Sequence, residues 1–148
     1  MPDNEIEQRL FTVDEANACI PLLERWLADM RELRGRMEGL RELIEPVLAR
    51  AHLNSGSKAA SQFAGALHQY QAMSDRIAEE GIVVRDITTG LLDFPAWRDG
   101  RLVCLCWLSG EEAVEHWHEL DVGFAGRQKL GDLDDDAFSA AKSAADEV

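Results

Sequence analysis

The sequence predicts an α+β fold, a long antiparallel helical hairpin of coiled-coil character packed with a small antiparallel β-meander. Three observations lead there. Apolar residues recur at alternating spacings of three and four from Ala16 to Val47, and again from Ala59 to Ile77. A turn signal, Asn54-Ser55-Gly56-Ser57, separates the two runs. After Gly81 the apolar period falls to two, in short β-branched stretches bounded by glycines.

The first helix opens at Phe11-Thr12-Val13-Asp14-Glu15. Thr12 stands as N-cap, and Glu15 three residues later completes a capping box; Asp14 and Glu15 complement the helix dipole. The seam then reads Ala16, Cys19, Leu23, Trp26, Met30, Leu33, Met37, Leu40, Ile44 and Val47, a period of about 3.5 residues. Pro21 is expected to bend the opening turns, and Pro46 to kink or shorten the end. The second helix carries Ala59, Phe63, Ala66, Tyr70, Met73 and Ile77 at the same spacing and stops at Gly81. The two helices are expected over about residues 13–50 and 58–80, antiparallel because the join is short. At about 1.5 Å per residue they would be roughly 55 Å and 33 Å long. The second therefore covers only the later part of the first. Ala16 to Trp26 must be covered by the C-terminal half or by a second copy of the chain.

The sheet is expected over about residues 82–120. Ile82 to Ile87 forms one short strand, and Leu91 to Phe94 a second, ended by Pro95. Asp99-Gly100 is a hairpin pair. It introduces the best strand, Leu102 to Leu108, which is apolar on both faces. Ala113 to Leu120 reads as a return strand, with a short helix as the alternative.

Length bounds the chain to one domain over 11–130, preceded by a flexible N-terminus (1–10) and followed by an acidic, loosely ordered tail (131–148). The formal charge of −13 argues against nucleic acid, which needs clustered Lys and Arg. Arg25, Arg31, Arg34, Arg36 and Arg41 instead alternate with Glu24, Asp29, Glu32, Glu38 and Glu42. No signal segment and no apolar run of spanning length is present, and the three cysteines, an odd number, give no disulfide framework; a cytoplasmic protein is expected.

The candidate chemistry begins with His116-Trp117-His118. On a strand both imidazoles share a face and can converge on zinc, iron or manganese, with Glu112, Asp86 or Asp93 as further ligands. The plainer alternative has His118 making one structural hydrogen bond and His116 in solvent. Cys104 and Cys106 lack metal or redox spacing, so core packing explains them. The stretch 123–128, Gly-Phe-Ala-Gly-Arg-Gln, is either an anion grip through Arg127 or a turn whose Phe124 plugs the core while Arg127 pairs with Asp86 or Asp93. Asp86 and Asp93 are also candidates for acid/base work. No nucleophile motif is visible.

Several of these pieces form a familiar order: Phe11-Thr12-x-x-Glu15-Ala16-Asn17, Gly81 to Asp86, Gly90-Leu91-x-Asp93-Phe94-Pro95, Leu105-Cys106-Trp107, Trp117-His118, and Gly123-Phe124-Ala125-Gly126-Arg127. Together, over about residues 11–130, they resemble the uncharacterised prokaryotic family catalogued as domain of unknown function 2203. The resemblance carries no activity, cofactor or substrate. In that family an aromatic is common where this chain has His116, which weakens the two-histidine site. It implies Asp86, Asp93, His118 and Arg127 as the matching polar set, forming a pocket beside the hairpin if they converge.

Two functions from different classes follow. The first is a homo-oligomeric interaction module, a homodimer through the first helix, with a polar pocket beside the sheet. The alternative is a metal-dependent or acid/base enzyme acting on a small anionic substrate through Asp86, Asp93, His118 and Arg127. Redox sensing through Cys104 and Cys106 is a third, supported only by their presence.

Overall fold

The structure, a computed structural model, describes residues 8–48, 58–131 and 137–140. Two helices, α1 (Val13–Leu48) and α2 (Lys58–Glu79), precede five strands: β1 (Val83–Asp86), β2 (Leu91–Arg98), β3 (Arg101–Leu108), β4 (His116–Glu119) and β5 (Gln128–Lys129). The strands form one antiparallel sheet in the order β1-β2-β3-β4-β5. This is the α+β fold with a helical hairpin and meander. The 54–57 turn and most of the expected N-terminal and C-terminal extensions lie outside the described residues. The chain divides into two compact units, Met1–Leu23 with Ile77–Val148, and Glu24–Arg76.

In the first unit, α1 starts as its capping residues dictate. The Glu15 N–H donates to Thr12 Oγ1 at 3.1 Å, and the Thr12 hydroxyl donates to the Glu15 carboxylate at 3.1 Å. Phe11, just before the cap, stands edge-on to Phe94 with ring centroids 5.2 Å apart. Asn17 Oδ1 accepts from the Val114 N–H at 2.7 Å, tying the helix to the β3–β4 connection. Ala16, Ile20 and Leu23 are buried, so the part of α1 that α2 cannot reach is covered within the chain. At the other helix, Gly81 ends α2 in a left-handed conformation with φ 85°. Gly81 N–H bonds to Ala78 O and Ile82 N–H to Ile77 O, with Ile77 and Ile82 buried together beneath.

The sheet corrects one expected boundary. β2 does not end before Pro95 but runs through it, in register with Cys104. Along an antiparallel strand the N and O of one residue point to the same side. Pro95 O accepts from the Phe11 N–H at 2.7 Å, so its nitrogen also points to the edge beyond β1, and no bond to β3 is lost. The same edge takes Ser139, which exchanges two backbone bonds with Trp97; Phe138 is buried against Trp117. Residues 137–140 of the expected loose tail are thus docked. The Asp99-Gly100 hairpin forms with both residues at positive φ (50° and 77°), joining Arg98 to Arg101 in register. Within segment 113–120, His116–Glu119 forms strand β4, shorter than expected, and β5 adds a strand beyond the expected sheet.

In the second unit the helices run antiparallel: the Arg76 guanidinium lies 5.1 Å from the Trp26 ring, while Arg41, Ile44 and Glu45 share a groove with Ala60 and Phe63. α1 is continuous through Pro21 and Pro46. Its buried stripe reads Val13, Ala16, Ile20, Leu23, Leu27, Met30 and Leu33. Ile20 and Leu27 displace the expected Cys19 and Trp26, which are only half-buried. Neighbouring positions on a face about 100° wide both qualify, and the branched aliphatic chains take its centre.

Candidate functional site

Alternation gives the sheet two chemically different faces. Leu92, Phe94, Ala96, Val103, Leu105, Trp107 and Trp117 line the face toward Phe11 and are all buried. The opposite face carries Asp93 on β2, Cys104 and Cys106 on β3, and His116 and His118 on β4. Here Asp93 and His118 are 0% and 2% exposed, polar groups closed to water that must find partners inside the fold.

They find each other. His118 Nε2 lies 2.9 Å from Asp93 Oδ1, and the second carboxylate oxygen accepts from Arg85 Nε at 2.6 Å. His118 Nδ1 lies 2.7 Å from Glu119 O. A carbonyl only accepts, so Nδ1 carries a hydrogen and donates it. Nε2 then faces a carboxylate oxygen, and that contact is attractive only with a cation, a proton at the least, between the two atoms. Cys106 completes the cluster: a sulfur, a ring nitrogen and a carboxylate oxygen from Cys106, His118 and Asp93 lie within 4.8 Å of one another, all buried. Burial foremost, and then the Asp93 charge, pushes the Cys104 thiol up to about 11 and that of Cys106 up to about 12. Without a metal ion both are held as thiols. The hydrogen bond to Asp93 raises Arg85 above its ordinary value.

A cavity of about 250 Å³ opens on this cluster. Asp93, Cys106 and His118 line it together with Arg85, and the rest of its wall includes Leu91, Leu120, Asp121, Val122 and Phe124. The rim is open and mostly apolar, with Leu120, Val122 and Phe124 exposed by 51%, 40% and 53% and the exposed Asp121 among them. Gly126 holds this loop in place by close approach: a Cβ there would stand 2.6 Å from Val122 Cγ2. Phe124 therefore does not plug the core but stands at the cavity mouth, 4.9 Å from the Arg127 guanidinium.

Of the sequence-derived set, the fold brings Asp93 and His118 together and places the others apart. Asp86 caps the β1–β2 turn, its Oδ1 accepting from the N–H groups of Thr88 and Thr89. Arg127 pairs with Glu111 at 2.6 Å and donates to the Cys106 carbonyl, rather than meeting Asp86 or Asp93. His116 turns to the same Glu111, 3.4 Å from Oε2, and lies outside the Asp93–Cys106–His118 group. Sequence reasoning missed Arg85 and set Cys106 aside as packing. Strand alternation already placed Cys106 on a face with Cys104. Pairing it across the sheet to Asp93 and the β4 histidines required the register.

A family model described as an uncharacterized conserved protein (DUF2203) matches residues 9–130. No curated protein and no solved structure matches the chain. Among the described residues, no helix is long and apolar enough to cross a membrane.

Proposed function

The chain belongs to the uncharacterized conserved family DUF2203, and from its geometry we propose a binding domain that takes a small anionic molecule with an apolar body in the cavity over Asp93 and His118. The observation that carries this reading is the buried Asp93–His118 contact at the floor of an open cavity with a mostly apolar rim. With a proton in that contact, the floor holds the Asp93 carboxylate against two cationic groups, Arg85 and the shared proton, while the Asp121 carboxylate stands out on the exposed rim. That balance favours an anionic head, and Leu91, Leu120, Val122 and Phe124 favour an apolar remainder. The shared proton beside the head is what a general acid requires, so acid/base catalysis is the enzyme form of the same reading. Its test is the melting temperature in acetate, butyrate and hexanoate. Stabilisation that grows with chain length, with Phe124→Ser removing the growth and Arg85→Gln the whole effect, supports it. No stabilisation by any of the three sinks it.

A second reading, self-association, draws on the hairpin unit. Among the described residues of α1 after Leu33 none is buried: Met37, Leu40 and Ile44 are half-buried, and Leu43 is 63% exposed. On α2, Phe63, Tyr70 and Met73 are likewise half-buried. A second copy laid along this seam would bury them, with Arg34, Arg41, Glu38, Glu42 and Glu45 as mixed flanking charges. A monomeric mass in solution at micromolar concentration would remove it.

A further inference from the structure

The cation called for between His118 and Asp93 need not be a proton. We propose that Asp93 Oδ1, Cys106 Sγ and His118 Nε2 bind one divalent transition metal ion of the zinc class, leaving a coordination position open to the cavity. This deepens the reading of the cavity as the binding site and rests on it for the ligand, though not for the metal.

Four features of the cluster carry the proposal. The ligand atoms lie 2.9 Å apart for the nitrogen–oxygen pair and all within 4.8 Å. A tetrahedral zinc ion with bonds of about 2.0–2.3 Å separates its ligand atoms by about 3.3–3.6 Å, so movements within about an ångström close the set. One oxygen, one nitrogen and one sulfur suit zinc, cobalt or ferrous iron over magnesium or calcium, which take oxygen. The outer partners are those a metal site needs. The Glu119 carbonyl fixes the His118 tautomer so that Nε2 offers its lone pair inward, and Arg85 holds Asp93 by Oδ2, leaving Oδ1 to the metal. Three protein ligands beside an open cavity match the arrangement of a catalytic rather than a closed structural site. A thiolate and a carboxylate neutralise the ion, and Arg85 then leaves the floor cationic toward an anionic head. The sulfur ligand separates this set from any pairing of His116 with His118.

The experiment uses the full chain, purified without chelator or metal-affinity resin, and titrated with Co²⁺ as a spectroscopic stand-in for Zn²⁺. The proposal expects one equivalent bound, with a thiolate-to-cobalt charge-transfer band in the near ultraviolet. Cys106→Ser should lose that band while keeping the wild-type circular dichroism. Asp93→Asn and His118→Gln should weaken binding at least about 10-fold, the size already seen for outer partners, and His116→Gln should leave affinity and spectrum unchanged. The wild-type spectrum alone reports a sulfur ligand should any variant fail to fold. No bound Co²⁺ or Zn²⁺ on folded protein, a band that survives Cys106→Ser, or a band lost in His116→Gln overturns the assignment. Repeating the carboxylate melts in chelator separates the two readings. Stabilisation that persists in chelator, together with no metal bound in the titration, keeps the cavity and removes the ion. One equivalent of metal without any carboxylate effect keeps the ion and removes the anionic ligand.

Discussion

Asp93 Oδ1 and His118 Nε2 stand 2.9 Å apart across β3, neither strand neighbouring the other, and both side chains are closed to water. The contact staples β2 to β4 through the middle of the sheet. Removing one partner leaves the other buried without its counter-group. Asp93→Ala is therefore expected to lower stability by about 3–5 kcal/mol, read by urea melts in chelator. His118→Ala should cost less than that, and the double variant less than the two single losses added. Additive losses would show that the two residues act independently.

The cavity loop depends on a missing side chain. At Gly126 a Cβ would meet Val122 Cγ2 at 2.6 Å and Cβ at 2.7 Å. Gly126→Ala is expected to cost about 1–3 kcal/mol by overpacking and to abolish the stabilisation by hexanoate. Val122→Gly in the same chain, which removes both the Cγ2 and the Cβ contact, should restore part of the stability. A single variant as stable as wild type would refute the close approach.

The three cysteines should differ in reactivity. Cys19 is half-buried on α1, while Cys104 and Cys106 are buried on β3 and held as thiols. A thiol reagent near neutral pH is expected to modify Cys19 first, with the other two reacting only on unfolding. Fast modification of all three in folded protein would contradict the burial.

An alkaline limb of stability follows from the same two thiols. Each has an ordinary value of 9.0 unfolded and is raised in the fold, to about 11 for Cys104 and about 12 for Cys106. Between these values the folded state holds protons that the unfolded state has released. The contribution is complete below pH 9 and falls as pH rises through the folded values. Metal-free protein should lose stability from about pH 9 upward, and Cys106→Ala should shallow that slope. An unchanged slope would place the alkaline loss elsewhere.

The parts of this protein that were legible in the sequence are those governed by near neighbours along the chain. Thr12 and Glu15 cap α1 because both sit in one turn, Gly81 stops α2 because it alone relaxes into positive φ, and Asp99-Gly100 turns a hairpin on its own backbone. The seam was readable to within a residue, since Cys19 or Ile20, and Trp26 or Leu27, lie equally near the stripe, and only the packed partner chooses. Pro95 was misjudged for a related reason. Whether a strand tolerates proline depends on which edge its nitrogen meets, and that is a property of the sheet.

The site divides along the same line. Local pattern, supported by a resemblance, was enough to single out Asp93 and His118 as residues that matter, and period-two alternation put Cys104 and Cys106 on one face. Tertiary structure alone decided that Asp93 meets His118 rather than Asp86, that Arg127 answers Glu111, and that Cys106 joins the pair. The Asp93–Cys106–His118 grouping is made across three strands, between side chains 12 to 25 positions apart in the chain. Hydrogen-bond register and sheet twist set such distances, and a buried charge takes whichever partner they bring within reach.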